Sequence, residues 1–175
     1  MIDKVMHSKF NVDQSVNYYI NQLHYTDMNV EGPLGNKILL SSTKKNVVRI
    51  GHDAGYDIFA SSLMNGNLTL VNVVEIFDHC KIDRPGDVFY TITEMERLDE
   101  LDSNDIKELE EWRSKVENCL GQPTFLDDPY FLLKDFFTLF SFINGYNDEK
   151  LAHDYLQSKN IMKRDGQFII IDPFA

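Results

Sequence analysis

A chain of 175 residues, 43% hydrophobic and 26% charged, has ordinary globular proportions and fits one domain or two small lobes. Its net charge of −11, from 28 acidic and 17 basic residues, argues against direct nucleic-acid binding through phosphate contacts, which needs basic patches. No apolar run is long enough to span a bilayer, and Met1-Ile2-Asp3-Lys4-Val5-Met6-His7 lacks the basic-then-apolar layout of a secretory leader. The expectation is a cytoplasmic protein without membrane contact. Cys80 and Cys119 form no CxxC pattern, so neither zinc nor a disulfide framework is indicated.

In chain order, Asp13 opens an amphipathic helix over 13–24, with Val16, Tyr19, Ile20 and Leu23 on one face. Gly32-Pro33-Leu34-Gly35 interrupts it. Lys37–Leu40 and Val47–Ile50 then read as a hairpin about the Lys44-Lys45-Asn46 turn. A helix is expected over Ala54–Met64, with Tyr56, Phe59, Ala60 and Leu63 on one side. Leu68–Phe77 and Val88–Thr93 are rich in β-branched residues, which predicts two strands around a long loop, Asp78–Asp87, containing Pro85-Gly86. Ser103 to Val116 reads as an acidic amphipathic helix. Asp127-Asp128-Pro129 then starts a strongly apolar helix to Ile143, closed at Asn144-Gly145. Its Tyr130, Phe131, Phe136, Phe137, Phe140 and Phe142 are expected to be core. Asn160–Lys163 and Phe168–Ile171 make a closing hairpin about Asp165-Gly166. The class is α+β.

The segment with the most chemistry is His153-Asp154-Tyr155-Leu156-Gln157-Ser158-Lys159-Asn160-Ile161-Met162, followed by Asp172-Pro173-Phe174. A polar loop, a strand opened by Asn, a tight turn and a strand ending in Asp can hold an amide oxygen and a carboxylate on adjacent strand ends. Mg²⁺ takes such oxygen ligands together with nucleotide phosphates. Here the chain resembles protein kinases, whose catalytic loop reads H-R-D-L-x-x-x-N and whose metal loop reads D-F-G. It is most similar to the early kinases of T7-type bacteriophages, which carry D-x-H-S-x-N-I-M and a D-P dipeptide. Ser158-Lys159-Asn160-Ile161-Met162 and Asp172-Pro173 match those motifs. Upstream, Asn46–Gly51 looks like the strand of the nucleotide-binding lysine, with Arg49 in the lysine's place. Asp53–Ala60 looks like the helix after it, and Val71 to Leu98 like the two strands leading to the inter-lobe hinge.

The resemblance implies a reduced two-lobed kinase-like fold. Residues 1–101 would form an N-terminal lobe with a small antiparallel sheet and one helix, and 102–175 a truncated helical C-terminal lobe ending in the hairpin. It also implies ATP and Mg²⁺ as cofactors, Gly32, Gly35 and Arg49 as nucleotide-binding residues, and Asn160 and Asp172 as metal ligands. The departures bear on activity. Tyr155 stands where the catalytic aspartate belongs, and a phenol cannot replace a carboxylate base. Asp154, one residue earlier, is the candidate substitute. Arg49 is a planar fork rather than a point charge. Its nearest helical partner is Asp57, which would make a structural ion pair. Pro33 spoils the phosphate cradle by removing a backbone N–H. The sequence stops three residues beyond Asp172, so the expectation is that a kinase activation segment is absent.

The expectation is therefore a phage-type pseudokinase in the host cytoplasm that binds and modulates a host protein. One alternative is an active minimal Mg-ATP-dependent Ser/Thr kinase or a nucleotidyl-transferring relative. Another is an acidic mimic of nucleic acid that blocks a host enzyme. The Leu98–Glu111 segment reads as a solvated acidic face. Two roles remain open for residues 1–28, completing the N-terminal lobe or forming a separate docking helix.

Overall fold

The computed structural model describes residues 1–29, 36–86, 88–118, 127–146 and 157–174. They divide into two units, one of residues 1–68 and 75–97, the other of 69–74 and 98–175.

The first unit begins with helices α1 (Lys4–His7) and α2 (Val12–Asn21). Asn11 caps α2 through a capping box in which its side chain accepts from Gln14 N while the Gln14 side chain accepts from Asn11 N. Strands β1 (Thr26–Asp27), β2 (Lys37–Leu40), β3 (Asn46–Gly51), β4 (Ile76–Arg84) and β5 (Val88–Glu96) form one antiparallel sheet ordered β1-β2-β3-β5-β4. Helix α3 (Ala54–Met64) crosses between β3 and β4.

Strand periodicity sorts the sheet into two faces. Leu39 pairs with Val48, Ile50 with Ile92, and Ile82 with Tyr90; these residues gather with Ile2 and Tyr19 into one buried cluster. Residues 1–28 thus complete the sheet's apolar side rather than standing apart. The anchor is polar: the buried His7 Nδ1 lies 2.9 Å from Ser15 Oγ, which lies 2.9 Å from the Tyr90 hydroxyl, itself donating to the His7 carbonyl. The opposite face carries Arg49, Thr93 and His79 in one register row, beneath α3.

Two expectations change here. The Leu68–Phe77 strand and the Asp78–Asp87 loop are replaced by a nine-residue β4 beginning at Ile76, closed by a tight turn with Gly86 at φ 82°. β4 is an edge strand, where charged residues are tolerated, so Asp78, Lys81, Asp83 and Arg84 disguise it as a loop. The β-branched stretch before it finds another partner, because Val73 bridges Ile170 in parallel in the second unit.

The second unit contains α4 (Ser103–Asn118), α5 (Leu133–Gly145), a 3-10 turn (Ser158–Asn160) and the hairpin β6 (Ile161–Arg164)–β7 (Gln167–Ile170). Leu109, Trp112, Val116, Leu132, Phe136, Leu139, Ile161, Phe168 to Ile170 and Phe174 form its buried interior. The expected start of α5 at Asp127–Pro129 moves to Leu133. Phe131 takes φ +57°, incompatible with a continuing helix, and the Asp128 carboxylate accepts from Leu132 N and Leu133 N at 3.0 and 2.9 Å. Its aromatics are also not all core: Phe136 is buried and Phe142 stacks on Phe174, whereas Phe131, Phe137 and Phe140 are exposed. The Leu98–Glu111 face is solvated only in part, since Leu98 and Leu109 are buried and Asp105 pairs with Lys163. Among the described residues no helix is long and apolar enough to cross a membrane.

Two outcomes follow from the first unit's packing. A Cβ at Gly51 would sit 1.6 Å from Asn36 Oδ1 and 3.0 Å from its backbone. Gly51→Ala should therefore destabilise by about 1–3 kcal/mol in denaturant titration. Burial lowers the pKa of His7 against a weaker upward pull from Asp3, so the folded protein holds the ring neutral. The unfolded state then binds the extra proton below about pH 6.5, and stability should fall as pH drops through that value toward the lowered one. In His7→Gln the slope of unfolding free energy against pH should be shallower in that window.

Candidate functional site

In the first unit, Arg49 sits in β3 with its side chain pointing to the α3 face. It is 6% exposed. Its Nη2 donates to Asp53 Oδ2 at 2.6 Å, and the guanidinium lies 3.8 Å from the Tyr56 ring centroid. Asp53 serves twice, because its Oδ1 accepts from Tyr56 N at 3.0 Å as the cap of α3. Sequence explains the arrangement. Arg49 and Asp53 are four residues apart across the β3–α3 corner, and a cap must sit where that helix starts.

The expected Arg49–Asp57 pair is therefore not formed. Asp57 lies one helical turn on, where its Oδ1 accepts from His79 Nε2 at 3.0 Å and its Oδ2 from Lys81 Nζ at 3.0 Å. Burial by itself would raise the Asp57 pKa, but the His79 and Lys81 hydrogen bonds and charges outweigh it and hold the carboxyl below its ordinary value. On the other side of the ring, His79 Nδ1 lies 2.7 Å from the Thr93 hydroxyl. This order of acid, imidazole and hydroxyl resembles a nucleophile relay, yet Thr93 is fully buried and cannot meet a substrate. The group joins β4 and β5 to α3. Sequence reasoning passed over His79 and Lys81 because they fall in the expected loop, and it did not single out Asp53, immediately before the expected helix, as its cap.

In the second unit, the Asp165-Gly166 turn has both residues at positive φ, 50° and 82°, which sets the hairpin. Ile161 pairs with Ile170, and one step beyond, Ile171 N donates to the Asn160 carbonyl at 2.9 Å. Asn160 and Asp172 therefore stand at the same end of the hairpin. Asn160 is 7% exposed and Asp172 half-buried. The 3-10 turn is fixed by Asn160 N donating to the Gln157 carbonyl at 2.8 Å and by Ser158 N donating to Glu110 of α4.

A buried carboxylate holds the hairpin's other flank. Asp135, in α5, is 1% exposed and accepts from Val71 N at 2.8 Å and Asn72 N at 2.7 Å. The segment so held exchanges backbone bonds with β7: Ile170 N donates to Asn72 O and Val74 N to Ile170 O. Arg164 adds a bond to the Val73 carbonyl. Neither Asp135 nor Asn72 was singled out from the sequence, since a carboxylate inside an apolar helix carries no local sign of its partner.

Two oxygen-bearing side chains at one strand end suit Mg²⁺, which commonly takes few protein ligands and completes its shell with phosphate and water. Among the described residues no cluster of three or more His, Cys, Asp or Glu could hold a metal by itself. Arg49 does not suit a phosphate in this conformation, being buried and bound to Asp53. Gly32, Gly35, Asp154 and Tyr155 lie outside the described residues, as do His153 and Cys119.

No protein-family model and no curated protein matches the sequence. Among solved structures, the chain is similar to the MAP kinase LmaMPK10 from Leishmania major, with a TM-score of 0.41 and 10% identity over 91% of this chain and 48% of that one. It is also similar to a point mutant of the aminoglycoside 2'-phosphotransferase-IIIa in complex with GDP, with a TM-score of 0.38 and 15% identity over 93% and 71% of the two chains. Both are protein-kinase-like folds. The chain spans about half the length of the MAP kinase.

Removing one member of a buried ion pair costs more than replacing both. Asp53→Ser keeps a capping hydroxyl but takes the carboxylate from Arg49, and should destabilise by about 3–5 kcal/mol. Arg49→Met combined with Asp53→Ser should recover most of that loss in urea unfolding. If the single and double variants were equally unstable, the pair would not be what couples β3 to α3.

Proposed function

We propose that this is a phage-type kinase-like protein that has lost ordinary phosphotransfer and acts in the host cytoplasm by binding and modulating a host protein. The observation that carries the reading is the state of Arg49. The residue at the nucleotide-binding lysine's place is buried, bonded to the cap of its own following helix and stacked on Tyr56. Reaching a phosphate would leave Asp53 without its cation and open the corner of the sheet. Tyr155, at the position of the catalytic aspartate, supports the same reading from sequence. The phage and host parts of the proposal rest on the resemblance of Ser158–Met162 and Asp172-Pro173 to the early phage kinases.

One observation favours a second reading, an active Mg-ATP-dependent kinase or nucleotidyl transferase. The hairpin sets Asn160 and Asp172 at one strand end, where they would hold Mg²⁺. The metal would neutralise the nucleotide's phosphate charge. Asp154 would then take the proton of the attacking group.

The readings separate in a melting experiment with ATP, with Mg²⁺, and with both. A ligand at about 100 times its Kd adds roughly 2.7 kcal/mol to stability, a shift of several degrees. The proposal expects no shift at millimolar ATP with Mg²⁺. A shift that requires both and disappears in Asp172→Asn would favour the enzyme and remove the main support for the proposal.

A further inference from the structure

Residues 1–10 lie on the apolar side of the first unit's sheet, yet they bury little of themselves. Ile2 and His7 are buried, Met6 and Phe10 half-buried, and the rest exposed. Much of the hold is polar. Ile2 N donates to the Asp78 carboxylate, Arg84 Nη1 donates to the Ser8 carbonyl at 3.0 Å, and the Tyr90 hydroxyl donates to the carbonyls of His7 and Phe10 at 2.9 and 3.1 Å. A segment that buries so few side chains loses less on opening than the sheet beneath it, where Leu39, Val48, Ile50 and Ile92 are fully covered.

His7 ties that opening to pH. Its ring is 1% exposed and enclosed by other rings: Tyr19 stacks on it at 5.6 Å between centroids, and Phe10 and Tyr18 meet it edge-on at 5.7 and 5.6 Å. Among the described residues its one hydrogen bond joins Nδ1 to Ser15 Oγ at 2.9 Å. The titratable and charged groups around it are Asp3 from α1, Tyr18 and Tyr19 from α2, Tyr90 from β5, and Arg84 from β4, whose guanidinium lies 5.7 Å from the Tyr90 ring centroid. Asp3 attracts a charge on His7, but burial outweighs it and holds the ring's pKa below its ordinary value. An imidazolium in this place gives up its hydration with one side-chain hydroxyl in return.

We propose that residues 1–10 are a pH-sensitive latch, closed while His7 is neutral and released as a unit when His7 takes up a proton, with α2 and the sheet left folded. Release uncovers Ser15, Tyr18, Tyr19 and Tyr90, and frees Arg84 from the Ser8 carbonyl. The closed latch therefore covers an aromatic surface bearing one guanidinium, and acidification presents it.

Linkage sets the size of the effect. In the open state the His7 imidazole titrates near its ordinary value of about 6.5, and in the closed state lower. Between those two values each unit of falling pH multiplies the open fraction by up to about tenfold.

The test is hydrogen–deuterium exchange on the full chain from about pH 7.5 to about pH 4.5, a span below and above the ordinary imidazole value. After correction for the intrinsic pH dependence of exchange, amides of residues 6–10 should lose protection by up to about tenfold per pH unit below about 6.5. Those of β3 and β5 should keep theirs. His7→Gln retains a hydrogen-bonding group without a titrating one, and its latch amides should show no pH-dependent loss. In the native chain the His7 ring signal, followed by NMR, should titrate together with the loss of latch protection. Latch amides whose protection is unchanged while the His7 ring titrates would overturn the proposal. So would β3 and β5 amides that lose protection in step with the latch, or the same loss in His7→Gln.

Discussion

The hydrogen-bonded pair of Arg49 and Asp53 is the constraint on which the first unit's geometry turns. It fixes where β3 ends and α3 begins with one carboxylate that both caps the helix and neutralises the strand's cation. Four residues apart, the two groups leave the corner little freedom. Stacking of the guanidinium on Tyr56 adds the helix's first turn to the same unit. Asp57 repeats the device one turn later, drawing in His79 and Lys81 from the edge strand. A polar seam thus joins the sheet to α3, while an apolar cluster joins it to α1 and α2. Buried charges of this kind specify an arrangement more than they strengthen it.

The seam has a functional consequence. A cation recruited to hold a corner cannot also serve a mobile phosphate without breaking that corner. The cation of β3 is paired to the helix that follows it, and its partner is the helix cap rather than a residue in the helix body. Asp57, the residue one turn along, is committed to β4. The hairpin of the second unit tells a different story, since its turn, its register and the Asp135 anchor all serve to place Asn160 and Asp172 at one end.

Much of this was legible where local signals are strong. The β2–β3 hairpin, the α3 helix over Ala54–Met64, and the β6–β7 hairpin about Asp165-Gly166 follow from periodicity and turn residues, as does the α+β class. The edge strand β4 was hidden, because its charges are tolerated only through a position at the sheet's margin that sequence does not reveal. The α5 start shifted because Phe131 adopts a left-handed backbone that no propensity favours. Its exposed phenylalanines were misread as core because an aromatic-rich helix gives no clue to which side lacks a neighbour. Asp135 and His79 needed partners 63 and 14 residues away to acquire a role.

The most direct test of the central claim is the NMR signal of the Arg49 guanidinium N–H groups in the presence and absence of MgATP. A guanidinium held by Asp53 and Tyr56 should show slowly exchanging N–H resonances that stay in place at millimolar MgATP. Resonances that exchange rapidly with water, or that move as MgATP is added, would mean Arg49 is available to phosphate and would contradict the account.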